Sequence, residues 1–327
     1  MEIKEENEKS KYVFFVILLL TFISSQIISD FSIKKNVPMR TGIQDSIIIG
    51  QYEAPYQYRI LKPVLGKSIN FFVSRFVRDP EHSHVVSYQI LISFVFLGIY
   101  TLFYFYLKLF FSVLPCIIGL LLIQIVIPLG ITSIWEEGDY ITLLFYLIGF
   151  NLMFRSKDYL LPVVILFGVL NRDQIIYIIV FYIAFLIGEK RLFTKRSIFI
   201  IALCIAAYFT AYFSMRLYFG FKINYYSTEK QVSINIFLWK DILGLWVEQV
   251  FIYVVLALIS YKKSSTFFRL SLISLILYVG IFFFNSIMSQ VAKILPAYLI
   301  LIPMGLQTLT GEKMKYYHNH NQKNITD

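Results

Sequence analysis

Apolar runs long enough to cross a lipid bilayer recur along almost the whole chain, at 12–29, 86–107, 109–127, 140–154, 159–170, 175–187, 197–219, 244–260, 267–285 and 293–309. A spanning helix needs about 20 mostly apolar residues, rising about 1.5 Å each, to cover roughly 30 Å of hydrocarbon. In lipid every backbone N–H and C=O must be satisfied internally, which leaves only helices and closed barrels. Val13 to Leu20 and Leu275 to Phe284 have none of the apolar and polar alternation of a barrel strand, so the spans are read as helices. The expectation is an all-α polytopic integral membrane protein with about eight full spans. A composition of 58% apolar, 18% aromatic and 15% charged residues excludes an ordinary soluble domain.

Two of the runs are too short to span. Segments 159–170 and 175–187 would each reach only about 18–20 Å as helices. Between them stand Asn171, Arg172, Asp173 and Gln174, where a plain transmembrane helix would carry no charge. A charge at the bilayer centre costs on the order of 2.5–3.5 kcal/mol, so this interruption is the strongest single pointer to function.

Basic residues set the sidedness. Arg155 and Lys157 precede the broken stretch, and Lys190, Arg191, Lys195 and Arg196 follow it, so both of its ends read as cytoplasmic. That pattern predicts a re-entrant hairpin over 159–187. It also keeps Lys108, the Lys262, Lys263 and Arg269 group, and Lys313 and Lys315 inside, with both termini cytoplasmic and 310–327 as a cytoplasmic tail. The first apolar run, Tyr12 to Ile28, reads as an uncleaved anchor because many spans follow it. One region resists the scheme: the external first loop, 30–85, carries Lys34, Lys35, Arg40, Arg59, Lys62, Lys67, Arg75 and Arg78, although long loops obey the rule weakly. The formal net charge of +10 is therefore a topology signal and not the footprint of a nucleic-acid-binding protein. Cys116 and Cys204 lie inside apolar runs and form neither a disulfide framework nor a metal-binding spacing.

The outer side gathers the first loop, 131–139, 220–241 and the turn around Gln290 and Lys293, with the hairpin tip pointing toward them. Arg172 and Asp173 would then line a wet, outward-opening cavity, with Asp173 steadying Arg172 or contacting the substrate. The alternative is an ion pair that only joins two half-helices. The densest motif is the stretch from Tyr52 to Pro63. In it Tyr52 and Tyr58 offer hydroxyls and ring faces, and Arg59 and Lys62 suit phosphate or carboxylate. An interfacial helix anchored at headgroup level explains the same composition equally well. Upstream, Asp45 is a candidate general base, or simply a helix N-cap. Glu136, Glu137 and Asp139 read as a solvated loop, with an acceptor or divalent-cation contact as the functional alternative. No metal and no cofactor are assigned. His82 and His84, His318 and His320 in the tail, and the sequon at Asn324 are weak signals.

Together, Asp45 and Tyr52, the phrase Tyr56 to Pro63, and Asn171, Arg172 and Asp173 resemble bacterial polytopic membrane proteins related to the GT-C glycosyltransferases. Asp45 is flanked by Gln44 and Ser46 and not by the second acid common in that first loop. The resemblance implies a GT-C-like membrane domain over 1–327 in a bacterial inner membrane, moving a sugar from a polyprenyl-phosphate carrier to a glycan or lipid acceptor at the outer face. It also implies a first-loop carboxylate as base, for which Asp45 stands, with Arg59 or Arg172 neutralising the departing phosphate. A polysaccharide polymerase or ligase would rely more on arginines than on a carboxylate. A transporter or flippase would also explain a broken helix, though no second interrupted segment matches 159–187. A purely structural membrane protein is the last alternative.

Overall fold

The computed structural model describes residues 2–35, 37–130 and 134–314. His318, His320, Asn324 and most of the expected tail lie outside the described residues. Among the described residues the chain is helical without a regular strand. The α-helices are α1 (Glu2–Ile28), α2 (Val37–Ile48), α3 (Leu61–Val73), α4 (Pro80–Leu107), α5 (Val113–Leu129), α6 (Glu137–Phe154), α7 (Leu161–Val169), α8 (Tyr177–Gly188), α9 (Lys195–Phe219), α10 (Thr228–Phe237), α11 (Trp239–Trp246), α12 (Ile252–Ser260), α13 (Thr266–Asn285) and α14 (Tyr298–Thr310).

Six stretches are long and apolar enough to cross a membrane: Lys11–Ile33, Pro80–Leu107, Lys195–Phe219, Trp239–Lys263, Thr266–Asn285 and Val291–Thr310. This is a polytopic helical membrane protein. Two of the eight expected spans fall short for physical reasons. Helix α5 has 17 residues, a rise of only about 25 Å, and α6 opens with Glu137 and Asp139 in its first turn.

Local chemistry sets several boundaries. Asp79 caps α4 by accepting from the His82 amide, with Pro80 at the first helical position. Thr194 caps α9 through the Ser197 amide, and Ser227 caps α10 through that of Lys230. Gly220, at φ +83°, lets the chain leave α9 in a conformation that other residues avoid.

The segment 30–85, expected to carry an interfacial helix, holds two helices, α2 and α3, which pack on each other and on α4. The Gly66 Cα lies so close to the Tyr88 ring that a Cβ there would collide with it, so glycine is what lets α3 approach α4.

The last span is 89% buried whereas α9 is only 22% buried, so α14 is the hub of the bundle and α9 lies at its periphery. Helix α14 packs on α5, α12 and α13. Lipid gives helices no hydrophobic reason to associate, so close packing and polar bridges must hold them. Edge-to-face aromatic pairs supply part of this, joining Phe110 to Phe154 at 5.1 Å, Phe154 to Phe267 at 5.0 Å and Phe150 to Phe181 at 5.3 Å. Ser24 of α1 meets the Tyr100 hydroxyl of α4 at 2.6 Å and donates to Gln124 of α5 at 2.7 Å.

The broken stretch reverses direction. The Tyr182 hydroxyl in α8 donates to Asp158, just before α7, at 2.8 Å. A continuous helix would hold these residues about 36 Å apart. Gly168 packs on Ile175 across the bend, and α7 and α8 then settle against different neighbours, α9 and α13 respectively.

Candidate functional site

The bend at 170–176, the start of α6, and the first-loop helices meet at one end of the bundle. The amide of Leu61 donates to the Leu170 carbonyl at 3.0 Å, tying the start of α3 to the bend. Asn171 donates to the Gly138 carbonyl at 2.7 Å and to the Thr142 hydroxyl at 2.8 Å, fixing the bend against α6. The polar residues that interrupt an apolar run therefore serve first to bind the acidic start of α6.

Glu136, Glu137 and Asp139 are each only 1% exposed, which corrects their reading as a solvated loop. Buried carboxylates need cationic or hydrogen-bonding partners, and two of these acids have both. Glu137 takes both terminal nitrogens of Arg40, at 2.6 and 3.0 Å, together with the Ser32 hydroxyl at 2.6 Å and the Lys62 ammonium at 3.3 Å. Burial works against the Arg40 charge, but the Glu137 contact outweighs it and holds the guanidinium above its ordinary pKa. Burial pulls Lys62 below the usual lysine value, with Glu137 opposing. Lys62 also donates to the Ile134 carbonyl at 3.0 Å, so the candidate phosphate ligand is already engaged in holding the fold.

Asp139 accepts from Arg172 at 3.0 Å and from the Gln174 amide at 3.4 Å, and Arg172 also donates to the Trp135 carbonyl. Asp173 does not steady Arg172. Arg172 has extended backbone (φ −157°, ψ 138°) while Asp173 opens the following helical turn, so their side chains diverge. Asp173 instead pairs with Arg216 of α9 at 3.3 Å.

Arg59 differs from the other cations. Its guanidinium lies over the Tyr56 ring at 5.1 Å, and Tyr56 packs on Trp135 at 4.0 Å, with Tyr52 also against both rings. Burial, then the charge of Arg172, pull its pKa down to about 10. Arg59 and Arg172 each bury an Nε–H with no acceptor among the described residues. Two neighbouring guanidiniums with unused donors repel each other, and an anion between them would relieve both. Lys293, in the helical turn before α14, lies within electrostatic range of Arg59, Arg172 and Asp139 and bonds the Ser286 hydroxyl.

Residues 220–227 cover this end. Tyr58 donates to the Gly220 carbonyl at 2.8 Å and accepts from the Lys222 amide at 3.0 Å, while the Tyr225 amide donates to the Ala54 carbonyl at 2.8 Å. Arg216 stacks on Tyr58 and Tyr212, at 4.3 and 3.2 Å from the ring centres. Tyr58 thus acts as a structural joint.

Asp45 is neither an N-cap nor in a loop. It lies within α2, exposed, paired with Lys67 at 2.9 Å. It lines a separate cavity of about 130 Å³ with Gln44, Lys67, Asn70, His84 and Tyr88, and neither Arg59 nor Arg172 borders that space.

Arg40 and Arg216 escaped the sequence reading, although Arg216 stood alone in an otherwise apolar run, the same signal that marked Arg172. Among the described residues no three acids, histidines or cysteines gather as metal ligands. No family model matches the chain, and neither a curated protein nor a solved structure is significantly similar to it. The class the structure defines is that of a helical integral membrane protein with two neighbouring buried arginines, Arg59 and Arg172, at one end of its bundle.

Proposed function

We propose that the protein is a membrane glycosyltransferase that takes a sugar from a polyprenyl-phosphate carrier and passes it to a hydroxyl acceptor at the outer membrane face. The observation that carries this reading is the Arg59 and Arg172 pair, whose buried Nε–H donors lack acceptors. A phosphate oxygen supplies those acceptors, and the Trp135, Tyr56 and Tyr52 rings beside them give a sugar an apolar wall. In the transfer, the acceptor oxygen attacks the anomeric carbon as its proton passes to a base. The bond from that carbon to the phosphate oxygen breaks, and the electron pair leaves with the phosphate. Arg59 and Arg172 face the charge that develops there, where preorganised donors contribute most. Asp45 remains the proposed base.

The second reading, a polysaccharide polymerase or ligase driven by arginines, is favoured by one observation. The Asp45 carboxylate borders a cavity that neither arginine lines. Two experiments test these readings. Native mass spectrometry of the purified protein with undecaprenyl phosphate should give a bound complex that Arg59→Ala and Arg172→Ala each weaken at least tenfold; equal binding by all three proteins rejects the phosphate site. Sugar transfer in membranes carrying Asp45→Asn separates the mechanisms, since loss of transfer favours the carboxylate base and full transfer the arginine-driven enzyme.

A further inference from the structure

The cavity beside Asp45 has a chemistry of its own. It lies between α2, α3 and the first turns of α4, and its 130 Å³ equals roughly four waters at about 30 Å³ each. That is room for one edge of a sugar ring. Its lining carries one negative group, Asp45, and one positive group, Lys67, already joined at 2.9 Å, so neither an anion nor a cation is favoured.

His84 lines this space and is 6% exposed, stacked on Tyr88 with ring centres 4.7 Å apart. The Thr41 hydroxyl hydrogen is directed at the Val37 carbonyl at 3.0 Å, which favours the tautomer in which His84 Nδ1–H faces the Thr41 oxygen at 3.5 Å. Nε2 then carries a lone pair, and it is buried with no partner among the described residues. The Tyr88 hydroxyl, on the same wall, is within hydrogen-bonding range of the Gln44 side chain. A buried acceptor left unmade is costly, so a hydroxyl that reaches Nε2 is favoured.

We infer that the cavity binds a neutral, polyhydroxylated ligand, with His84 Nε2 accepting one ligand hydroxyl hydrogen, the Gln44 and Asn70 amides on the facing walls, and Asp45 and Lys67 standing at the rim. On the transferase reading, on which this assignment of role rests, the ligand is the sugar end of the acceptor.

Saturation-transfer NMR on the detergent-solubilised full chain tests this, with methyl glycosides of glucose, galactose, mannose and N-acetylglucosamine as probes. At least one glycoside should bind. His84→Phe keeps the ring stack and removes Nε2, and should weaken that binding tenfold or more. Thr41→Val releases the tautomer and should weaken it less, while Arg59→Ala should leave it unchanged. Unaltered undecaprenyl phosphate binding by His84→Phe reports that the variant is folded. The inference is overturned if no glycoside binds, if His84→Phe binds as well as the parent, or if Arg59→Ala abolishes glycoside binding. Failure of undecaprenyl phosphate binding with glycoside binding intact would remove the transferase reading and leave this site standing.

Discussion

Arg40 and Glu137, 97 residues apart in sequence, meet through two parallel hydrogen bonds of 2.6 and 3.0 Å with both side chains almost wholly buried. Through this contact α2 is fastened to α6. Lys62 joins from α3 and Ser32 from the end of the first span, so four segments converge on one carboxylate.

That convergence ranks two substitutions. Glu137→Gln leaves two buried cations without their counter-charge and should cost about 3–5 kcal/mol, the range for breaking a buried pair. Lys62→Met leaves the arginine contact intact and should cost clearly less. Thermal unfolding in detergent measures both, and a reversed order would refute the central role of Glu137.

Gly66→Ala drives a methyl group into the Tyr88 ring, which is held by His84 on one side and by Arg40, 5.2 Å from its centre, on the other. Overpacking of this kind costs about 1–3 kcal/mol. Combining it with Tyr88→Leu should recover part of the loss, whereas a double variant worse than either single one would mean the contact is not the cause.

Arg59 and Arg172 should separate function from stability. The Arg59 Nε–H is buried without an acceptor among the described residues and the guanidinium rests on the Tyr56 ring, so Arg59→Ala should change stability by less than about 1 kcal/mol. It should nevertheless lower sugar transfer about 10²–10³-fold, as loss of a charge-stabilising donor does. Arg172→Ala strands Asp139 and should lose both. With a pKa of about 10, Arg59 stays protonated at neutral pH, so phosphate binding through it should hold up to about pH 9 and fall as pH passes 10. Equal destabilisation by both variants would assign Arg59 to the scaffold.

Phe193 and Ile223 flank α9 and are 88% and 95% exposed, so a spanning α9 puts them on opposite sides of the membrane. Single cysteines at these positions should react with an impermeant thiol reagent from opposite faces, position 193 from the cytoplasm. Native Cys116 and Cys204 are buried and should give little background. Labelling of both positions from one side would reject α9 as a span.

The helical membrane architecture was legible because bilayer thickness imposes a run length that a sequence must obey. The turn at Asn171 to Gln174 was legible for the same reason, since charge there breaks that rule visibly. Partner choice was not legible. Asp173 looked like the companion of Arg172 because the two are adjacent, yet the change from extended to helical backbone sends them to α9 and α6. Glu136 to Asp139 looked solvated because a cluster of acids between two apolar runs is most simply kept in water. Their burial depends on Arg40, Lys62 and Arg172, which arrive from three distant segments, and no spacing rule in one sequence encodes such meetings. Asp45 and Arg59 lie close in sequence, yet Arg59 does not border the cavity that Asp45 lines, because the Gly50 to Arg59 turn separates α2 from the bend.

The contact between Arg40 and Glu137 also constrains how the protein is made. At about 5–20 residues per second, a ribosome takes roughly 5–20 s to travel from one residue to the other. Arg40 therefore leaves the ribosome well ahead of its counter-charge. Asp173 faces a shorter wait for Arg216. Helices α2 and α3 must therefore stay in water or among headgroups until α6 is delivered, and the polar end of the bundle closes late, after the insertion machinery has set the early spans.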